Sequence, residues 1–199
     1  MKRLGHIGRN RRLQRDPKPN ADYSSGALFM LNESNIPVPT NYYLKPGYIL
    51  VADKPTAIST VLGSCVSVCI YDRKRKMGGM NHFLFPTIMQ SEAATARYGN
   101  VATLALIVML IHDGSKVRNM EAQIFGGAYN AKISHLDVGR DNIRIARKVL
   151  RKKGVRIVSE DVGGEKGRKI VFDTGTNEVA VIKVEKLRKS DWHPYEGNR

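Results

Sequence analysis

The chain is poor in cysteine, in aromatic residues and in long apolar runs. Its two cysteines, Cys65 and Cys69, cannot form a disulfide framework and suit a reducing compartment. Aromatic residues are only 7% of the chain, which leaves little for stacking on single-stranded nucleic acid. The longest apolar run, Val101 to Ile111, contains Thr103 and is far shorter than the ~20 residues a bilayer-spanning helix needs. The first residues are basic, but no apolar stretch of signal-peptide type follows them. No Cys/His/Asp/Glu cluster has zinc spacing, no glycine-rich Walker or dinucleotide pattern opens a helix, and no G-x-S-x-G elbow occurs. The expectation is a cytoplasmic protein with no membrane insertion, no metal and no cofactor.

What is present is an ordinary globular balance, 42% hydrophobic and 26% charged, which argues against a wholly disordered chain. The 199 residues suffice for one domain with a sizeable core, plus a tail. The net charge is +15, and two short blocks hold most of the excess. Residues 1–15 carry Lys2, Arg3, Arg9, Arg11, Arg12 and Arg15 without an acid. This block has no apolar periodicity and reads as an arm, either simply solvated or in contact with an anionic partner. In the second block, Arg140, Arg144, Arg147, Lys148 and Arg151 recur at three- and four-residue steps and so share one helix face. Ile143, Ala146, Val149 and Leu150 form another face, and Gly154 suits the helix end. Such a stripe is either a solvated face or a surface for an acidic partner. Nothing in it resembles a base-reading motif, so a nucleic-acid partner is not expected.

The chain divides into a basic arm over 1–40, a single domain over 41–189 and a polar tail over 190–199. Strands are expected at Tyr48–Ala52, Ile58–Leu62, Val66–Tyr71, Met80–Phe85, Ala122–Phe125 and Val155–Val158, from β-branched runs bounded by Gly, Pro and charge. Lys169–Asp173 and Glu178–Val184 alternate around Thr174–Asn177 as a hairpin. Residues 92–112 carry the longest helical pattern, apolar nearly all round at its centre, which predicts a buried helix. Strands outnumber helices and short loops favour antiparallel neighbours, so the class is α+β.

One segment carries chemistry. Cys65 follows Gly63-Ser64 at a turn between two strands. A turn can expose a thiol and aim backbone N–H groups outward, as a nucleophile and an oxyanion hole require. A thiol is only a few per cent ionised at neutral pH and needs a base. His82 stands on a strand after Gly78-Gly79, and two neighbouring strands would bring it beside Cys65. A hydroxyl from Thr60 or Ser59 would then orient the imidazole. By spacing alone, Cys65 and His82 read as buried core residues more often than as catalysts. Cys69 lies inside an apolar run and reads as a small core residue.

Four motifs, in order, extend this reading: Thr60-Val61-Leu62-Gly63-Ser64-Cys65-Val66, Gly79-Met80-Asn81-His82-Phe83, Ile124-Phe125-Gly126-Gly127-Ala128, and Glu160-Asp161-Val162-Gly163-Gly164 with Gly167-Arg168. Together they resemble the CheD family of chemoreceptor glutamine deamidases, from about Tyr48 to Leu187. The resemblance implies a β-sandwich-like pair of mixed sheets flanked by helices, similar to the cytotoxic necrotizing factor deamidase domain. It implies hydrolysis of receptor glutamine side chains to glutamate, with Cys65 matching the nucleophile and His82 the base. Thr60 matches the family threonine by type, while an ungapped match to some relatives would put Ser59 there. The implied partners are chemoreceptor cytoplasmic domains and, for some relatives, the phosphatase CheC. A non-catalytic adaptor with the same fold is the alternative. The basic arm departs from the family pattern.

Overall fold

A computed structural model describes residues 40–90, 93–132 and 134–184. The expected arm and tail lie outside these residues, apart from Thr40. Nine strands and two long helices follow in the order β1 (Thr40–Tyr43), β2 (Tyr48–Val51), β3 (Thr56–Leu62), β4 (Val66–Asp72), β5 (Met77–His82), α1 (Gly99–His112), β6 (Met120–Gly126), α2 (Val138–Lys152), β7 (Arg156–Val162), β8 (Gly167–Asp173) and β9 (Val179–Val184). One sheet has the order β1-β3-β8-β9 and the other β2-β5-β4-β6-β7. The class is α+β with two mixed sheets, as expected. Among the described residues, no helix is long and apolar enough to cross a membrane.

Two apolar clusters define three layers. Ile58 and Leu62 of β3 and Ile170 and Phe172 of β8 pack on Cys69, Met80 and Phe125, filling the space between the sheets. Val66, Val68 and Ile70 of β4 face the other way, against Leu106 and Leu110 of α1 and Ile143, Ala146 and Leu150 of α2. Strand β4 is therefore covered on both faces, which is why its sequence is almost continuously apolar.

Helix α2 is built as its periodicity predicts. The Asp137 carboxylate accepts from the Arg140 N–H at 2.9 Å and caps the start, and Gly154 at φ 71° follows its last turn. Helix α1 begins at Gly99 rather than near residue 92 and is not buried all round. Leu104, Val108 and Ile111 are exposed along one face while Ala102, Leu106 and Leu110 are buried.

The short loops do not all join antiparallel neighbours. Strand β1 pairs in parallel with β3, and β6 in parallel with β7 through the α2 crossover. The turn between β3 and β4 also does not join a hairpin, because the two strands belong to different sheets. Both the β3–β4 link, which holds Cys65, and the β7–β8 link step from one sheet to the other.

Gly99 lies where α1, the strand layer and α2 meet. A Cβ there would stand 2.5 Å from Phe83 and 2.7 Å from Ile145. Gly99→Ala is expected to cost about 1–3 kcal/mol through overpacking, seen as a lower urea midpoint at constant m. An unchanged midpoint would show that this junction yields.

Candidate active site

Strand alternation and register bring Thr60, Cys65 and His82 to one side of the second sheet. Val66 and Phe83 exchange backbone hydrogen bonds at 3.1 and 3.0 Å, extending the β4–β5 pairing in which Cys69 faces Met80. In that register Cys65 and His82 are diagonal neighbours on the face that carries Cys69 and Met80, toward the first sheet. Diagonal pairs of this kind lie about 7–8 Å apart at the backbone, and no hydrogen bond joins the Cys65 sulfur to His82 Nε2. From the first sheet, Thr60 sits between Ile58 and Leu62 on the inward face of β3.

The hydrogen-bond network assigns the imidazole tautomer. Thr60 Oγ1 donates its one proton to the Leu44 carbonyl at 2.8 Å. At its 2.8 Å contact with His82 Nδ1 the hydroxyl must therefore accept, so Nδ1 carries the hydrogen. Nε2 is left with a bare lone pair, and this buried atom has no hydrogen-bond partner among the described residues. Ser59 points the other way, toward the Tyr42 carbonyl at 3.4 Å, and does not meet the histidine.

The Cys65 turn is held by its carbonyls. The Gly127 N–H donates to the Cys65 oxygen, the Ala128 N–H to that of Gly63, both at 2.8 Å, and Asn142 Nδ2 to that of Ser64 at 2.9 Å. The backbone N–H groups of Ser64 and Cys65 donate to no backbone carbonyl among the described residues. Gly126 makes the close approach possible: at φ 105°, its Cβ would stand 2.2 Å from the Cys65 oxygen. Asn142, fully buried on α2, also donates to Leu84 at 2.9 Å and so ties the helix to the turn and to the segment after β5. Composition offered no signal for Asn142, which lies within the basic stretch of sequence but on the buried face of the helix. Arg168, nearly buried, donates to Asp161 at 2.9 Å and to the Gly163 carbonyl at 2.7 Å, fixing the β7–β8 link.

Electrostatics set the resting protonation. Burial pushes the Cys65 thiol up to about 11, against a smaller opposing effect of its own backbone N–H. Burial pushes His82 down to about 4, with the Leu44 carbonyl opposing. The proton therefore rests on sulfur and the imidazole is neutral. Cys65 is half-buried, Ser64 is exposed, and Thr60 and His82 are fully buried, so Cys65 is the one partly exposed residue of this trio. Cys69 is wholly buried, as expected. The remaining described histidines, His112 and His135, lie outside this trio. Among the described residues, no group of three or more His, Cys, Asp or Glu side chains is arranged to hold a metal ion.

Two titrations follow. Below an unfolded pKa of 6.5 the unfolded chain protonates His82 while the folded chain does not, until about 4. Stability is therefore full above 6.5 and is lost as pH falls through this window, by up to roughly 3 kcal/mol. Urea melts at pH 7 and pH 4.5 should show a steeper loss for the wild type than for His82→Gln, and equal slopes would contradict a neutral buried ring. The rate of Cys65 alkylation by iodoacetamide should keep rising with pH beyond the ordinary thiol value of 9.0. A plateau near pH 7 would mean a preformed thiolate instead.

Comparison with known proteins now bears on this geometry. The family model described as CheD chemotactic sensory transduction matches residues 85–183, a span that begins after Cys65 and His82. A protein of Sulfurimonas denitrificans named "Probable chemoreceptor glutamine deamidase CheD" is 40% identical over 148 residues, covering 72% of this chain and 94% of that one. A protein of Anaeromyxobacter dehalogenans named "Probable chemoreceptor glutamine deamidase CheD 1" is 41% identical over 132 residues, 65% of this chain and 77% of that one. The crystal structure of Bacillus licheniformis hypothetical protein YfiH overlaps 57% of this chain and 49% of that chain, with a TM-score of 0.40 and 19% identity. Similarity at this level over nearly the whole length of the Sulfurimonas protein assigns the chain to a family: it belongs to the CheD family.

Proposed function

We propose that the protein is a chemoreceptor glutamine deamidase, an amide hydrolase that uses Cys65 as nucleophile, His82 as acid–base group and Thr60 as the group that orients the imidazole. The names of its relatives support the reaction. The observation that carries the residue assignment is the bare Nε2 of His82, with Nδ1 engaged by Thr60, on the face that Cys65 shares.

The reaction starts from thiol and neutral imidazole. As sulfur attacks the glutamine carboxamide carbon, Nε2 takes the thiol proton. The two resting pKa values disfavour a free thiolate–imidazolium pair, so proton transfer accompanies C–S bond formation. The N–H groups of Ser64 and Cys65 are available to the developing oxyanion. The imidazolium then protonates the departing nitrogen, ammonia leaves, and a thioester remains. Nε2 takes a proton from water as the water oxygen attacks the thioester carbon. Cleavage of the C–S bond releases glutamate and restores the thiol. Throughout, Thr60 accepts from Nδ1–H and its contact strengthens when the ring is cationic.

The high thiol pKa gives specific support to a second reading, a non-catalytic chemotaxis adaptor that binds receptors or a CheC-like phosphatase. Purified receptor separates the two. Incubation with the wild type should convert receptor glutamines to glutamates, read as a mass gain on receptor peptides. Cys65→Ala should lower the rate by about 10³-fold or more. Thr60→Val should lower it less, within the roughly 10²–10⁴ that acid–base assistance supplies. Conversion by Cys65→Ala at the wild-type rate would remove Cys65 from the reaction, and no conversion by the folded wild type would favour the adaptor.

A further inference from the structure

A groove of about 890 Å³ runs between helix α2 and the turn that links β7 to β8. One wall is the basic face of α2 and the other is the Gly163-Gly164-Glu165 turn, with Gly127 at the base. None of Thr60, Cys65 and His82 lines it, so it is distinct from the trio described above.

The groove is nevertheless built onto the same framework. The Gly127 N–H holds the Cys65 carbonyl, and Asn142 of α2 holds that of Ser64. On the far side, Gly163 donates to the Gly126 carbonyl at 2.9 Å and Tyr129 to that of Gly164 at 2.8 Å. Residues 126–129 thus join the Cys65 turn to the groove wall.

Its charge is directional. Arg147 is spent on Glu160 through two hydrogen bonds, at 2.8 and 3.0 Å. Arg144 lies 3.3 Å from Asp141, an exposed pair that solvent screens. Lys148 and Arg151 are exposed, line the groove and form no ion pair among the described residues. Arg144, Lys148 and Arg151 follow at helical steps of four and three, so acids at the same steps on a second helix laid along α2 would meet them one by one. The opposite wall is uncrowded at its glycines: a Cβ on Gly163 or Gly164 would meet nothing within 4 Å. A nucleic acid fits less well, because Tyr129 is the single aromatic residue in the lining and leaves little for bases to stack on.

We propose that this groove binds an acidic helical segment of a protein partner and sets affinity for it beside the Cys65 turn. For what the segment delivers, a glutamine side chain, the inference rests on the deamidase reading. The binding itself does not.

The test uses the full chain and a fluorescein-labelled helical peptide with one glutamine and glutamates at steps of four and three. A matched peptide with every glutamate replaced by glutamine and a single-stranded RNA of equal length serve as comparisons. The acidic peptide should bind the wild type and weaken with added salt, and Lys148→Ala/Arg151→Ala should weaken it about tenfold. Both side chains are exposed and form no ion pair among the described residues, so the variant should keep its circular dichroism spectrum. With receptor as substrate, the same variant should show its loss in KM rather than kcat. Equal peptide affinity for variant and wild type, equal binding of the neutral peptide, or RNA binding that outcompetes the acidic peptide would each overturn the proposal. Retained peptide binding with no receptor deamidation would instead strike the deamidase reading and leave the groove standing.

Discussion

The site depends on the capture of three consecutive carbonyls. Gly63, Ser64 and Cys65 each give their oxygen to a donor from elsewhere, two from the segment after β6 and one from α2. A sheet-switching turn has no ladder to rest on, and its carbonyls would otherwise need water. Tying them to Gly127, Ala128 and Asn142 holds the turn against both the second sheet and the helix layer. Glycine at 126 and 127 follows from this constraint, since both adopt positive φ and a Cβ at either would strike its neighbours.

The histidine is held by a contact between sheets. Thr60 comes from β3 in one sheet and His82 from β5 in the other, so their hydrogen bond reports how the two sheets are placed. The second sheet is irregular nearby: the Val68 N–H bonds to the side-chain oxygen of Asn81, at 2.8 Å. Arg168 works on the same problem from the opposite link, binding Asp161 of β7 from β8. Its charge is almost wholly buried, and such a group is tolerated only because its nitrogens are paired.

Much of this was legible in the sequence, and the gaps have physical causes. The β-branched runs of β4, β8 and β9 and the amphipathic repeat of α2 express local preferences that packing reinforced. Strand β1 was missed because Thr40–Tyr43 has no apolar alternation and follows a proline-rich stretch. Alternation shows which face a residue takes but not which sheet its strand joins, so the Cys65 turn was recognised and its crossing between sheets was not. Alternation did separate the two candidate hydroxyls, of which Thr60 meets His82. Ile58, Thr60 and Leu62 share the inward face of β3, which turns Ser59 away. Asn142 carried no signal, because a lone amide in a charged helix looks like any solvated residue.

The resting protonation of the pair bears on how long the protein can remain chemically intact. Peroxides and disulfides react with thiolates far faster than with thiols. A sulfur that keeps its proton is slow to react with them, even in a residue that is only partly buried. Burial thus acts on each partner separately: it keeps the His82 ring neutral, and at Cys65 it keeps the proton on sulfur and slows oxidative loss.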